Sequence, residues 1–397
     1  MRADRRSDTV RGNRGRPDED PDRRKSKDTD IMTDIAEERR RLRDAATVVL
    51  PGFRTLSPAE EFRQIADWCE ANHVARDFYG EGDLIAGLER KVAGLLGKQA
   101  AVFMPTGKMA QAVALRIWTE RAGVDRVGLH PTAHPVIHEA ESYQALFNIH
   151  GVIVGHRLRP LTAADLDAQP QPMACLMVEL PLREAGGLLP AWEDLVALRD
   201  RAAARGLPLH MDGARLWESL PFYERDAATV AGLFQSVYVS LYKGIGGIAG
   251  AVLAGDTGFV AEARLWQKRL GGVVVQLSPM IASIALRFDH RLAMMDALHR
   301  RAVDLARSLS RVPGIRIAPE VPATNMMHVY LDAPPERLQA ARDAIARAHG
   351  VWVVPDARPA EVPGWSLIEL TVGDTILELP DADVVAWWRR LLEEARS

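Results

Sequence analysis

Between residues 84 and 275, short apolar runs alternate with segments whose apolar residues recur every three to four positions. The runs at 100–104, 126–130, 150–156, 172–180, 207–211 and 236–241 read as strands, and their near-continuous hydrophobicity suits strands covered on both faces. Leu84, Leu88, Val92 and Leu95 form one helical face that ends at Gly97, and Phe62, Ile65, Ala66 and Cys69 form another after Ser57-Pro58-Ala59-Glu60. Further helices are predicted over 191–205, 257–270 and 277–310, the last with a stripe of Met280, Ile284, Phe288, Leu292 and Met295 expected to bridge two domains. This alternation predicts an α/β large domain with a mostly parallel sheet flanked by helices. From Val312 the pattern changes to short strands at 315–317, 326–331, 351–354 and 365–372 with helices over 336–349 and from 381 onward, a small α+β C-terminal domain. The expected division is a disordered charged tail over 1–45, a large domain over 46–290 that includes an N-terminal segment 46–76, and a small domain over 291–397.

Composition narrows the class. With 397 residues, 47% of them hydrophobic, the chain can bury a large core, and a formal charge of −3 gives no reason to expect nucleic acid or an acidic membrane as partner. Cys69 and Cys175 lie far apart and in no metal-ligand spacing, so no disulfide framework and no metal site is expected. No apolar run reaches the ~18 residues of a spanning helix. The N-terminus carries arginines and acids where a signal peptide has an apolar core, so a soluble cytoplasmic protein is expected. Almost no apolar residue precedes Ile31, and at least residues 1–30 are expected to be disordered.

The candidate chemistry sits in two stretches. The run ending at Met211 delivers Asp212-Gly213-Ala214-Arg215 at the carboxyl end of a buried strand, where ligands of open α/β sheets bind. The run from Ser236 ends at Lys243 and opens into Gly244-Ile245-Gly246-Gly247. A lysine between a buried strand and a glycine-rich turn is poorly solvated, which lowers its pKa and suits a nucleophilic amine. An aspartate and a lysine over one sheet are what a pyridoxal phosphate site needs. On these residues alone, a helix-capping Asp212, a surface Arg215 and a solvated Lys243 fit equally well. Pro105-Thr106-Gly107-Lys108, at a strand-to-helix turn, is a natural phosphate seat.

HMDGARLWES followed by YKGIGGIAGAVLAG resembles the threonine aldolase and β-eliminating lyase family, whose members carry H-x-D-G-A-R and S-K-G-L-G-x-P-x-G-S at this separation. DFYGEGDLIAGLE over 77–89 resembles the family's D-x-Y-G-E-D-P entry to its large domain, and Thr106-Gly107 its S-G-T-M-A-N phosphate loop, with Lys108 in place of threonine and Gln111 in place of asparagine. The resemblance implies an aspartate aminotransferase-like fold, fold type I, with pyridoxal 5′-phosphate as cofactor. It implies that Lys243 carries the Schiff base, Asp212 faces the pyridinium nitrogen, His134 stacks on the ring and serves the substrate's β-hydroxyl, and Thr106, Gly107, Lys108 and Ser240 hold the phosphate. Glu179 matches the glutamate of the family's E-N-T, and Arg215 is the fork for the substrate carboxylate. His130 and His138 lie close enough in sequence that His134 rests on alignment.

Three departures bear on the reaction. Tyr242 stands where the family has serine, Arg54-Thr55-Leu56-Ser57 is the nearest counterpart of R-S-D-T-V-T, and Ile368-Glu369-Leu370-Thr371 stands where R-x-V-T-H brings an arginine to the substrate carboxylate. Glu369 would repel that carboxylate, so Arg183 or Arg54 anchors it or the substrate is not a simple α-amino acid. The expected activity is cleavage of L-threonine, L-allo-threonine or a related β-hydroxy amino acid to glycine and an aldehyde. The alternative is another pyridoxal phosphate reaction, β-elimination or transamination, on a different amino acid; a binding or regulatory protein on the same fold has no need of Lys243. A homodimer or homotetramer is implied by the resemblance.

Overall fold

The computed structural model describes residues 35–397. The disorder expected for residues 1–30 lies outside the described residues. Residues 35–45, expected as part of a disordered tail, are helical, and Arg39 ties them to the small domain through Asp343 (3.1 Å) and Gln339 (2.6 Å). The correction has a plain cause: these arginines find fixed carboxyl and amide partners.

The strands in chain order are β1 (Val48–Val49), β2 (Ala100–Met104), β3 (Arg126–Leu129), β4 (His150–Ile153), β5 (Leu176–Glu179), β6 (Leu209–Gly213), β7 (Ser236–Ser240), β8 (Ala251–Gly255), β9 (Ile315–Ala318), β10 (Met326–Leu331), β11 (Val351–Trp352), β12 (Arg358–Pro359) and β13 (Ser366–Thr371). Seven of them form one sheet in the order β2-β8-β7-β6-β5-β3-β4. Every pairing is parallel except those of β8, which runs against both β2 and β7. Every residue of β6, β7 and β8 is buried, as a sheet covered on both faces requires. β8 is not among the runs that the sequence pattern predicts as strands.

The two faces sort by alternation. Leu176, Val178, Leu209, Met211, Val237 and Val239 pack into one core, and Cys175, Met177, Tyr238, Ala251 and Leu253 into the other, under the helix Gly107–Ala122. The small domain is an antiparallel sheet β12-β13-β10-β9 with the helices Pro335–His349 and Asp381–Arg396. Helix Ser278–Leu309 packs on both domains, touching Trp217 through Phe288 and Ile376 and Asp381 through Arg301. Residues 48–52, assigned from sequence to the large domain, pair with the small one instead: β1 lies parallel to β11, and Gly52 N donates to Thr371 O at 2.8 Å. Helix Pro58–Ala71 begins as predicted, with Ser57 and Glu60 forming a reciprocal capping box. No helix among the described residues is long and apolar enough to cross a membrane.

Candidate active site

Because β8 alone is reversed, β2, β3, β5, β6 and β7 end on the same side of the sheet. There they deliver the Thr106 turn, His134, Glu179, Asp212 and, three residues beyond β7, Lys243. All of these line one cavity of about 390 Å³, which Arg215 and Arg183 also border. The site is thus a direct product of strand direction.

Its floor is a row of three register partners: Glu179 opposite Asp212 on β5 and β6, and Asp212 opposite Tyr238 on β7. Asp212 Oδ1 accepts from Ala214 N at 3.1 Å, and Glu179 Oε1 from Arg183 N at 3.2 Å. Burial raises the Asp212 pKa, opposed mainly by the Lys243 charge. Burial and the neighbouring Asp212 charge push Glu179 up to about 8. Two carboxyl groups this close in a dry setting cannot both stay charged without a cation above them.

Lys243 supplies that amine. Its pKa is lowered by burial and then by Arg215, with Asp212 pulling the other way. The backbone around it is fixed: Ser240 Oγ accepts from Tyr242 N (3.4 Å) and Lys243 N (3.3 Å), Gly246 N donates to Lys243 O (3.1 Å), and Leu241 N to Gly250 O (3.1 Å). Ser240 is almost fully buried, with its Oγ turned to the backbone that carries the lysine. Gly244 is required here, since a Cβ would lie 2.5 Å from Glu218 Oε1.

The opposite end of the cavity suits an anion. Thr106 caps helix Gly107–Ala122, its Oγ1 accepting from Met109 N at 3.2 Å and leaving the hydroxyl proton for a ligand. Lys108 lies in the first turn, and the helix N-terminus adds positive potential. Gly107 carries no Cβ because the Tyr238 hydroxyl fills that space.

Of the three histidines near this end, His134 is the one on the wall. Its Nδ1 meets the buried Glu139 Oε1 at 2.7 Å. His130 is buried, held by Thr132 Oγ1 (2.8 Å) and the carbonyls of His156 and Arg159, and His138 binds Glu184 (2.9 Å).

The structure resolves what surrounds Glu369. Arg183 Nε donates to Glu369 Oε2 at 2.8 Å, and Arg215 lies 3.9 Å from its other oxygen. Arg54 is elsewhere: its guanidinium pairs with Glu378 and its backbone N donates to Asp374 Oδ2. Arg54 thus plays no part in this cavity, and Glu369 meets two guanidinium groups.

Three buried polar atoms on lining residues have no partner among the described residues: Gln111 Nε2, Glu179 Oε2 and Arg215 Nε. Leaving such atoms unpaired costs about 1–3 kcal/mol each. Donors at the Thr106 turn, carboxyl groups on the floor, an imidazole at the side and a desolvated amine together fit a flat aromatic ring that bears a phosphate and a basic nitrogen. Sequence reading passed over Tyr238 and Glu218. The signal for Tyr238 was parity, since it shares its strand face with Ser240; Glu218, buried below Gly244 and 3.7 Å from Arg215, gave none. Among the described residues, no group of three or more His, Cys, Asp or Glu side chains is placed to hold a metal ion.

Comparison with known proteins agrees with this geometry. A family model described as "Beta-eliminating lyase" matches residues 54–334. The low specificity L-threonine aldolase of Escherichia coli K12 is 27% identical over 325 residues, covering 80% of this chain and 92% of that one. A solved Listeria monocytogenes structure, described as a candidate L-allo-threonine aldolase, is 36% identical with a TM-score of 0.83, covering 90% of this chain and 99% of that one. An Exiguobacterium structure, described as a candidate aromatic amino acid β-eliminating lyase/threonine aldolase, is 37% identical with a TM-score of 0.82, covering 89% and 99%.

Proposed function

The chain belongs to the β-eliminating lyase family, and from that premise we propose that it is a pyridoxal 5′-phosphate-dependent lyase cleaving L-threonine, L-allo-threonine or a related β-hydroxy amino acid to glycine and an aldehyde. The observation that carries this reading is the meeting of Lys243 and Asp212 with the Thr106 turn on the wall of one cavity. When bound, pyridoxal phosphate supplies a ring that accepts the electron pair left at the substrate α-carbon as the bond breaks. Lys243, depressed in basicity by burial, is the amine that would hold the cofactor covalently. Asp212, on the floor, would keep a proton on the ring nitrogen, and a cationic partner there would offset the cost of its burial. Thr106, Gly107 and Lys108 seat the phosphate.

His134, on the cavity wall, would cover the ring. With Nδ1 held by Glu139, its Nε2 is the nitrogen placed to take the proton from the substrate β-hydroxyl. Arg215, whose Nε is unpaired, receives the substrate carboxylate, and Arg183 adds positive charge beside it. Glu369 favours a second reading, β-elimination or transamination of a different amino acid, since it adds a negative charge at the carboxylate end of the site. The test is the visible absorption of the purified protein with pyridoxal phosphate, followed by glycine and aldehyde assays with L-threonine and L-allo-threonine. A coloured protein that forms neither product supports the second reading, and a protein that does not bind the cofactor overturns both.

Self-association is part of the proposal. Phe78 and Tyr79, both more than half exposed, stack edge to face at 4.6 Å, and Tyr79 N donates to Val275 O beside the exposed Val274 and Val275. An apolar patch of this kind supports burial against a second copy. Light scattering should give a dimer or tetramer, and Phe78→Ser with Tyr79→Ser should shift it toward monomer.

A further inference from the structure

One step down the same sheet face from the Glu179–Asp212–Tyr238 row lies a second row, in which His210 on β6 is the register partner of Ser236 on β7. Both join a line of four buried side chains. Trp118 Nε1 meets Ser236 Oγ at 2.8 Å, Ser236 Oγ meets His210 Nδ1 at 2.8 Å, and His210 Nε2 meets Gln111 Oε1 at 2.8 Å. Trp118 and Gln111 come from the same helix, seven residues and two turns apart, so the line begins and ends on one rigid element.

Chemistry fixes the direction of this line. An indole N–H only donates, so Ser236 Oγ accepts from Trp118. The serine proton then goes to its other partner, His210 Nδ1. Burial lowers the His210 pKa to about 3, so the ring is neutral, and with Nδ1 accepting, the single ring proton sits on Nε2. Nε2 therefore donates to Gln111 Oε1, which turns the amide NH₂ away from the line. Gln111 lines the active cavity, and its Nε2 is buried without a partner among the described residues.

We propose that Gln111 is a cofactor-binding residue whose amide Nε2 donates to an acceptor oxygen of bound pyridoxal phosphate, and that Trp118, Ser236 and His210 are positioning residues that hold the amide in that sense. This rests on the proposed cofactor. The reverse amide orientation would present Oε1 to the ligand, a carbonyl facing a phosphate or phenolate oxygen. The line thus converts a donor-only indole, remote from the cavity, into a donor on its wall.

Two measurements test it. In nitrogen-15 spectra of the holoenzyme imidazoles, assigned by His210→Gln, His210 should be the Nε2–H tautomer; an Nδ1–H tautomer overturns the proposal. In cofactor titrations, Gln111→Glu keeps the volume and the acceptor for His210 but deletes the donor, and should weaken pyridoxal phosphate binding roughly tenfold or more. Gln111→Leu, free of the added charge, should weaken it by a similar order, and Ser236→Ala should weaken it several-fold while releasing the His210 tautomer. A parallel titration with pyridoxal separates the acceptors: a loss confined to the phosphorylated form marks a phosphate oxygen, and an equal loss marks a ring oxygen. Unchanged affinity in both Gln111 variants, each folded by circular dichroism, overturns the assignment. A wild-type protein that binds no cofactor removes the ligand itself, while the tautomer still reports whether the line runs as argued.

Discussion

Arg183 and Glu369, 186 residues apart, meet at 2.8 Å and join the large domain to strand β13 at the edge of the active cavity. Glu369 thereby presents a carboxylate to the arginines that a substrate carboxylate would use, with Arg215 3.9 Å from its second oxygen. Removing that charge should favour the substrate. Glu369→Gln is expected to lower KM for L-threonine and L-allo-threonine by up to about fivefold, the span of a partly exposed ion pair, with a smaller change in kcat. A raised KM in steady-state assays would show that Glu369 helps to seat the substrate.

Lys243→Ala should abolish both the visible absorption of the bound cofactor and its retention after borohydride treatment and denaturation. Activity should fall by roughly a thousandfold or more, because the other lysine lining the cavity, Lys108, lies in the first turn of the helix that follows the Thr106 turn and not beside Asp212 in the sheet. Retention of label in the variant would place the covalent bond elsewhere.

Asp212→Asn preserves shape and removes the charge. The variant should still bind pyridoxal phosphate and should lose about a hundredfold or more in kcat, since the ring nitrogen would no longer be held protonated. Cofactor titration and turnover measured on the same preparation separate the two effects.

Glu179 gives a pH dependence whose sign follows from its raised pKa. Its folded value of about 8 lies above that of an ordinary glutamate, so the folded cofactor-free protein binds more protons than the unfolded chain between these limits. Its stabilising contribution is therefore fully present below about pH 4.5 and is lost as pH rises toward 8. In urea titrations of the cofactor-free protein, the wild type should lose stability relative to Glu179→Gln between pH 5 and pH 8. Parallel curves would place the Glu179 pKa in the ordinary range.

Gly244→Ala would bring a methyl group within 2.5 Å of the buried Glu218 carboxylate. Overpacking of this kind costs about 1–3 kcal/mol, which urea denaturation should register. Part of the loss should return with Glu218→Ala, which clears the clash.

The large domain was legible because its strands are buried on both faces and its helices carry capping signals; Ser57 to Glu60 and the strand ending at Asp212 are where the pattern placed them. β8 was not, because an apolar stretch beginning with glycines has no periodicity to distinguish a strand from a loop. The tail assignment failed at 35–45 because charge density says nothing of partners 300 residues away, such as Asp343 for Arg39. Motif order pointed to Thr106, His134, Asp212 and Lys243, which meet in one cavity. That Tyr238 stands beside Asp212, and that Gln111 meets His210, emerges only from the packing of the sheet and the helix over it.

The turn that carries Lys243 is fastened to the sheet at both ends, Leu241 to Gly250 on one side and Gly246 back to the lysine carbonyl on the other. Such a mount leaves the amine no travel but the sweep of its own four methylenes. Whatever the lysine picks up and sets down during a turnover has to lie on that short arc, so the root of the arm stays fixed while only the tip moves.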